Sequence, residues 1–366
     1  MTGSDSTTAG PVRNFYAGPG TLPAPVMRRI QAEMLDYRGL GMSVMELSHR
    51  SDAVLELIDT TLAQLRRLLR LGPDHEVLLL QGGASLQFVM VPMNLSPPGG
   101  KVDYVHSGYW TAKAIDEARR LGRDVAVAAS SAPAHRHIPA DLTVRRGASY
   151  LHLCTNNTVE GTQWHRMPET AVPLVADMSS DILSREIDSS AFACLYAHAQ
   201  KTLGPAGVTV AVLRRDMLER IPAGLPAMLD YRTHLQHHSN FNTPPVFAIY
   251  VVQCVLDWLE RDIGGVAAME ALNRRKAALL YAALDASALF HCPVAAESRS
   301  AMNVTFDLPT PELHARFLAE ATARGLVGLA GHRSVGGCRA SLYNAVTLDA
   351  VEDLVAFLHD FERRCG

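Results

Sequence analysis

Between residues 77 and 214, short apolar or β-branched runs recur, separated by segments with helical spacing: VLLL (77–80), DYVHS (103–107), VAVAA (125–129), YLHLC (150–154), PLVADM (173–178), LYAHA (195–199) and VTVAVL (208–213). Strands that read as unbroken apolar runs are those covered on both faces. The pattern therefore predicts an α/β architecture, a mostly parallel seven-stranded sheet between helices. Among the intervening segments, TAKAIDEARRLG ends on Gly122 after basic residues, as a helix C-terminus does. FAIYVVQCVLDWLERDIGG reads as a long buried helix stopped by Gly264 and Gly265, where the chain changes domain. Beyond it, NRRKAALLYAAL predicts a helix, MNVTFDL a strand, PELHARFLAEATARGL an amphipathic helix, and VGLAG and RASLYN strands. The closing helix LDAVEDLVAFLHDFERR keeps Leu348, Val351, Leu354, Val355, Leu358 and Phe361 on one face. The expected division is a loose tail over 1–13, a large domain over 14–264 and a smaller C-terminal α/β domain over 265–366.

The length of 366 residues agrees with two domains. The longest nearly apolar stretch, Val246 to Leu256, is interrupted by Gln253 and falls short of the roughly 18 residues needed to cross a bilayer. The start, MTGSDSTTAGPVR, has an acid, one Arg and no apolar core, so it resembles neither a secretory nor a transit peptide; a cytoplasmic protein is expected. With 34 basic and 37 acidic side chains, the net charge of -3 offers no general attraction for nucleic acid or an anionic membrane. Any anionic ligand must be held by a local cluster. Six widely spaced cysteines without a C-x-x-C pair read as reduced, structural thiols. Only four of the 34 basic residues are lysines, Lys101, Lys113, Lys201 and Lys276, which narrows any chemistry that needs an amine.

No G-x-x-x-x-G-K-[ST] or G-x-S-x-G is present, and GPGTLP (18–23) lacks dinucleotide-binding spacing. QGGASLQ (81–87) follows a strand and opens a helix. Its small residues would let backbone N–H groups approach an anion there, although a tight turn alone is an equal reading. Lys101, Lys113 and Lys276 stand where solvated surface amines normally do. Lys201, in AQKTLGPAG, instead follows an apolar strand and precedes another. A partly desolvated amine at such a strand end can form an imine with a carbonyl. Asp177 ends PLVAD, at the same edge of the sheet, where a carboxylate can hold a protonated pyridine nitrogen. Taken alone, both residues read first as structural. His234, His237 and His238 in THLQHHSN are read as solvated or substrate-near imidazoles, and no metal is expected.

Several stretches together resemble the phosphoserine aminotransferase family, class V aminotransferases of pyridoxal 5'-phosphate (PLP) fold type I. They are NFYAGPGTLP (14–23), GMSVMELSHR (41–50), QGGASLQF (81–88), SGYWTAKAIDEA (107–118), NNTVEGTQW (156–164) and ADMSSDILSR (176–185). AHAQKTLGPAGVTV (197–210), NFNTPPVFAIY (240–250) and GHRSVGGCRASLYNA (331–345) complete the set, in order along nearly the whole chain. The resemblance implies PLP as cofactor, Lys201 as the lysine that forms the Schiff base, and Asp177 as the partner of the ring nitrogen. It implies Trp110 stacked on the ring, Thr158 at the ring hydroxyl, and Ala84, Ser85 and Gln200 at the phosphate. Asn242 and Thr243 would reach that phosphate from the neighbouring subunit, which requires a homodimer.

By the same resemblance Arg339 binds the α-carboxylate, while His49, Arg50, His332 and Arg333 hold the distal phosphate or carboxylate; an arginine fork suits both groups. One branch of the family has Arg where this chain has Ser85, and Ser where it has Ala17. The implied reaction converts L-glutamate and 3-phosphohydroxypyruvate into 2-oxoglutarate and O-phospho-L-serine in serine biosynthesis, with the phosphohydroxythreonine pair of PLP biosynthesis as a related substrate. The alternatives are a class V aminotransferase for unphosphorylated serine, alanine or glyoxylate, and a non-enzymatic binding or regulatory protein on the same fold.

Overall fold

The computed structural model describes residues 12–365. Its strands are β1 (Arg13–Asn14), β2 (His75–Leu80), β3 (Lys101–His106), β4 (Asp124–Ser130), β5 (Leu151–Cys154), β6 (Asn156–Asn157), β7 (Thr162–Gln163), β8 (Leu174–Asp177), β9 (Cys194–His198), β10 (Thr209–Arg214), β11 (Asn303–Phe306), β12 (Leu326–Val327) and β13 (Cys338–Ser341). Seven of them form one sheet in the order β2-β10-β9-β8-β5-β3-β4. Only β10 runs antiparallel to its neighbours. These seven are the seven predicted runs, displaced by a residue or two at their ends.

The runs are unbroken because the sheet is buried on both sides. Val77, Leu79, Ala176, Leu195, Val210 and Val212 pack on one face against the helices Asp52–Leu68 and Val246–Arg261. Leu78, Leu80, Val175, Tyr196, Ala211 and Leu213 pack on the other, against Gly83–Leu95 and Tyr109–Arg120. Successive residues of a strand thus enter different cores. Because β10 is antiparallel to both β2 and β9, the ends of β2, β3, β5, β8 and β9 emerge along one edge of the sheet. No helix among the described residues is long and apolar enough to cross a membrane.

A separate core gathers Phe290, Phe306, Phe317, Phe357 and Phe361 with Val304 and Leu354. Gly264 and Gly265, at φ 93° and 95°, turn the chain from Val246–Arg261 directly into the helix Val266–Ala286 that enters this core. The closing helix Leu348–Cys365 buries Val351, Leu354, Val355, Leu358 and Phe361, with Leu348 half-buried. Phe15 belongs to the same core, and β1 pairs with β12, so residues 13–15 pack with the C-terminal elements rather than with the large sheet. Of the predicted tail, residues 1–11 lie outside the described residues. Arg13 is a strand residue with ion pairs to Asp349 and Asp353, both at 2.8 Å.

Two expectations are corrected. VGLAG is not a continuous strand: pairing covers Leu326–Val327, and a single bridge joins Ala330 to Cys338. Gly328 lies between them at φ 82°, against the backbone of Tyr16, where a Cβ would stand 2.5 Å from Tyr16 N; the chain must kink there. The smaller sheet is accordingly two two-stranded pieces, β1-β12 and β11-β13.

Lys276 is the second correction. It is not a surface amine but is 0% exposed. It falls on the buried stripe Met269, Asn273, Lys276, Leu280, Ala283 of its helix. Its three N–H bonds donate to the carbonyls of Leu342, Tyr343 and Val346 at 3.0, 2.9 and 2.9 Å. An ammonium has three donors and no acceptor, so this loop satisfies it fully, while burial pushes its pKa down to about 7.

Candidate functional site

The strand ends Cys154, Asp177 and His198 line a cavity of about 370 Å³, which Ala84, Ser85, Trp110, Thr158, Gln200 and Lys201 line as well. At its β2 side the chain turns into the helix Gly83–Leu95 through Gly82 and Gly83, at φ 85° and 68°. A Cβ on Gly82 would meet the Leu86 side chain at 2.5 Å, so the turn needs glycine. No side chain at Gly82 caps this helix. Its first N–H groups and its dipole are therefore available to an anion in the cavity.

Lys201 follows β9 in a turn. Its Nζ donates to Thr158 Oγ1 at 2.8 Å and lies 5.9 Å from the centroid of the Trp110 ring. The N-terminal AGPG segment backs this turn: Gly20 N–H donates to the Gln200 carbonyl at 2.8 Å. A Cβ on Gly20 would stand 3.1 Å from the Lys201 carbonyl oxygen, so the small residue permits the approach. Asp177, buried at the end of β8, accepts the Ser179 N–H on Oδ1 at 2.9 Å. Burial pushes its carboxyl up, opposed by the Ser179 hydrogen bonds and the Lys201 charge. Trp110 opens the helix Tyr109–Arg120 and packs on Phe88 at 6.4 Å between centroids; its buried Nε1 has no partner among the described residues.

Arg339, His332 and Arg333 do not line the cavity itself, but Arg339 and His332 reach its neighbours Thr158 and Tyr109. Arg339, on β13, donates from Nη1 to the Thr158 carbonyl at 3.3 Å, while its buried Nε has no partner among the described residues. Burial lowers its pKa, with Tyr343 and Glu160 pulling it back. His332 lies 4.9 Å from the Tyr109 ring and donates to or accepts from Ser334 Oγ at 2.6 Å. Burial, then the charges of Arg339 and Arg333, depress its pKa. Arg333 itself is exposed.

Of the remaining predicted residues, His49, Arg50 and Thr243 lie together, while Asn242 lines a small pocket with Leu80 and His234. Thr243 Oγ1 lies 3.3 Å from His49 Nδ1, Asn240 Nδ2 donates to the His49 carbonyl at 2.8 Å, and Arg50 Nε donates to His49 Nε2 at 3.4 Å. None of His49, Arg50, Asn242 and Thr243 lines the Lys201 cavity of the same chain. The reading of His234, His237 and His238 as solvated or substrate-near imidazoles is corrected for His234, which is buried with Nε2 on the Met228 carbonyl at 2.9 Å; His237 and His238 are exposed, and His237 bonds the Thr233 carbonyl. A larger cleft, about 720 Å³, lies at the opposite end of the sheet beside Leu174 and Arg214 and contains no lysine.

Cavity residues that sequence reasoning did not single out are Cys154, Asn156, Ser179, Ser180, His198 and Gly207. Asn156 and Ser180 share a hydrogen bond at 2.8 Å, and Asn156 also donates to Asn303 Oδ1 at 2.8 Å, tying the cavity wall to β11. The NNT and ADMSSD runs signalled this region, but not which of their side chains turn inward.

Glu160 was also missed. Its Oε1 accepts the Tyr109 N–H at 2.7 Å, its Oε2 is buried without a partner among the described residues, and burial raises its pKa from 4.5 to about 7. Between these values the folded chain binds more protons than the unfolded one. Its contribution to stability is therefore fully present below pH 4.5 and is lost as pH rises through about 7. Glu160→Gln keeps an acceptor for Tyr109 and removes this slope. Urea unfolding at pH 8 should find the variant more stable by on the order of 2 kcal/mol, with the difference gone at pH 4.5. An unchanged difference across that range counts against the buried-acid reading.

A family model for class-V aminotransferases matches residues 12–354. A phosphoserine aminotransferase of Geobacillus kaustophilus (strain HTA426) is 55% identical over 96% of this chain and 98% of its own. Among solved structures, the phosphoserine aminotransferase of Bacillus circulans subsp. alkalophilus superposes with a TM-score of 0.94 at 46% identity, covering 97% of this chain and 99% of that one. A PLP-bound phosphoserine aminotransferase from Trichomonas vaginalis reaches a TM-score of 0.92 at 39% identity, covering 95% and 99%. With the same fold, a lysine and a buried aspartate at adjoining strand ends and end-to-end identity of this level, the chain belongs to the class-V aminotransferases and, within them, to the phosphoserine aminotransferase family.

Proposed function

We propose that this chain is a PLP-dependent transaminase that converts L-glutamate and 3-phosphohydroxypyruvate into 2-oxoglutarate and O-phospho-L-serine, a step of serine biosynthesis. The observation that carries the reading is the pairing, in one cavity, of the Lys201 amine with the buried Asp177 carboxylate beneath Trp110 and beside an uncapped helix N-terminus. The names and near-complete coverage of the relatives support it. The cavity fits PLP in chemistry: an amine for its aldehyde, an acid for its ring nitrogen, an indole for its face and free N–H groups for its phosphate. Bound there, PLP supplies an electron sink for the Cα–H bond of an amino acid.

The protein's own groups do the rest. Asp177 holds a proton at the ring nitrogen, favoured because a buried carboxylate is best satisfied by a cation. Lys201 Nζ, held by Thr158, moves the proton to and from Cα. Ala84, Ser85 and Gln200 bind the phosphate, and Trp110 covers the ring and excludes water. Arg339, a desolvated cation with an unused Nε, binds the α-carboxylate. His332 and Arg333 receive the distal group, and phosphohydroxythreonine, with the same terminal phosphate, falls within the same site. We divide the chain into a cofactor-holding unit over 14–264 and a smaller unit over 265–366, so both proposed substrate-binding arginines, Arg333 and Arg339, belong to the smaller unit.

We further propose a homodimer, in which His49, Arg50, Asn242 and Thr243 complete the site of the neighbouring subunit. That none of the four lines the chain's own Lys201 cavity, while His49, Arg50 and Thr243 lie together, supports it, as do exposed apolar side chains on the same N-terminal stretch, Leu35, Leu40, Met42 and Met45. Free thiols, four of the six buried, accord with a cytoplasmic location. Mixing the PLP form with phosphoserine and, separately, with serine tests the function: the absorbance of the lysine-bound cofactor should disappear far faster with phosphoserine. Equal rates for the two amino acids would shift the assignment to an aminotransferase for unphosphorylated substrates.

A further inference from the structure

We propose that His198 is a phosphate-binding residue for the cofactor, fixed in one tautomer so that its Nδ1–H donates into the glycine turn where the helix Gly83–Leu95 begins. The inference rests on the PLP reading above. His198 is the last residue of β9, three before Lys201, and lines the same cavity as Ser85, Gln200 and Lys201. Its own backbone is pinned, since His198 N–H donates to Ser179 Oγ at 3.1 Å. On the ring, Nε2 lies 3.3 Å from the backbone N–H of Gly207. A backbone N–H only donates, so Nε2 must present its lone pair, and the proton of the neutral imidazole then resides on Nδ1.

That nitrogen lies 3.4 Å from the position a Cβ would take on Gly83, so the ring edge rests against the first residue of the helix. Nδ1 has no hydrogen-bond partner among the described residues. Burial and the charge of Lys201 keep the imidazole below its ordinary pKa, which favours the neutral ring that the tautomer argument requires. Two features thus converge on one end of the cavity: uncapped helix N–H groups and a neutral donor with no partner among the described residues. A phosphate fits that end because it accepts from both. His198 adds a donor without adding a positive charge that would compete with Lys201.

Two conservative variants separate this role from a structural one. Asparagine can place an amide N–H where Nδ1 stands, whereas glutamine can place an acceptor where Nε2 stands. If His198 binds the phosphate, His198→Gln weakens PLP by roughly tenfold or more, the expected loss for one hydrogen bond to a charged acceptor. His198→Asn should remain within about threefold of the parent. Pyridoxal, which lacks the phosphate, should bind all three proteins alike. Equilibrium dialysis of the folded protein with PLP and with pyridoxal reads both constants without using activity. The proposal is overturned if His198→Gln retains PLP as the parent does, if PLP and pyridoxal are weakened equally, or if Asn fails where Gln succeeds, since that order marks a ring needed only to hold Gly207. A parent protein that binds neither PLP nor pyridoxal overturns the cofactor reading itself, and a parent that binds both equally well overturns any phosphate site, His198 included.

Discussion

Lys201→Ala is expected to abolish transamination, with a fall in kcat of at least about 10⁴-fold, because one side chain carries two functions. In the proposed mechanism it supplies the nucleophile that binds the cofactor and the base that moves the Cα proton, and acid–base catalysis alone is worth about 10² to 10⁴. No other amine can stand in. Lys101 and Lys113 are exposed at the start of β3 and on the helix Tyr109–Arg120, and Lys276 spends all three donors on the Leu342, Tyr343 and Val346 carbonyls. Borohydride, which fixes the lysine–cofactor linkage, should label Lys201 alone in the parent protein and nothing in the variant. Peptide mapping that recovers label on any of the other three lysines would falsify the assignment. Folding should survive the change, since among the described residues the side chain of Lys201 makes one hydrogen bond, to Thr158.

The contrast between Lys201 and Lys276 shows what the sequence could and could not disclose. The place of Lys201 at a strand end was legible because it follows an unbroken apolar run beside a Gly-Pro-Ala-Gly loop; that position alone read first as structural, and the family resemblance singled it out among four lysines. Lys276 was illegible because its local surroundings, NRRKAALL, look solvated. Its burial is decided by carbonyls 66 to 70 residues further on, in a loop no local pattern describes. The seven strands of the large sheet were readable since burial on both faces leaves a continuous apolar signature. In the C-terminal region the VGLAG run was misread, because the kink at Gly328 is set by contact with Tyr16, from the opposite end of the chain. Similarly, the proximity of His49 to Thr243 spans 194 residues and has no local trace. His198 looked like the end of an apolar strand; only the Gly207 N–H reveals the direction of its ring.

Arg339→Met should separate stability from function more sharply than any other change at this site. In the free protein the guanidinium is a desolvated cation that, among the described residues, makes one hydrogen bond, to the Thr158 carbonyl, with no partner for Nε. The nearest named acid, Glu160, is itself held toward its neutral form by burial. Methionine can fill similar volume without the desolvation cost, so the variant is expected to unfold at a higher temperature or urea concentration than the parent. Catalysis should move the other way. Loss of a bidentate partner for a buried carboxylate costs about 2 to 5 kcal/mol, or roughly thirty- to several-thousandfold in kcat/KM. Phosphoserine, serine and glutamate should all suffer it, because every one presents an α-carboxylate. Arg333→Ala, at an exposed position, should instead leave stability nearly unchanged and lower phosphoserine turnover about ten- to a hundredfold while sparing serine. The ratio of kcat/KM for phosphoserine to that for serine, measured in the parent and both variants, decides between them. It should stay constant in Arg339→Met and collapse in Arg333→Ala; the reverse pattern would exchange the roles of the two arginines, and a less stable Arg339→Met protein with normal turnover would remove Arg339 from the site altogether.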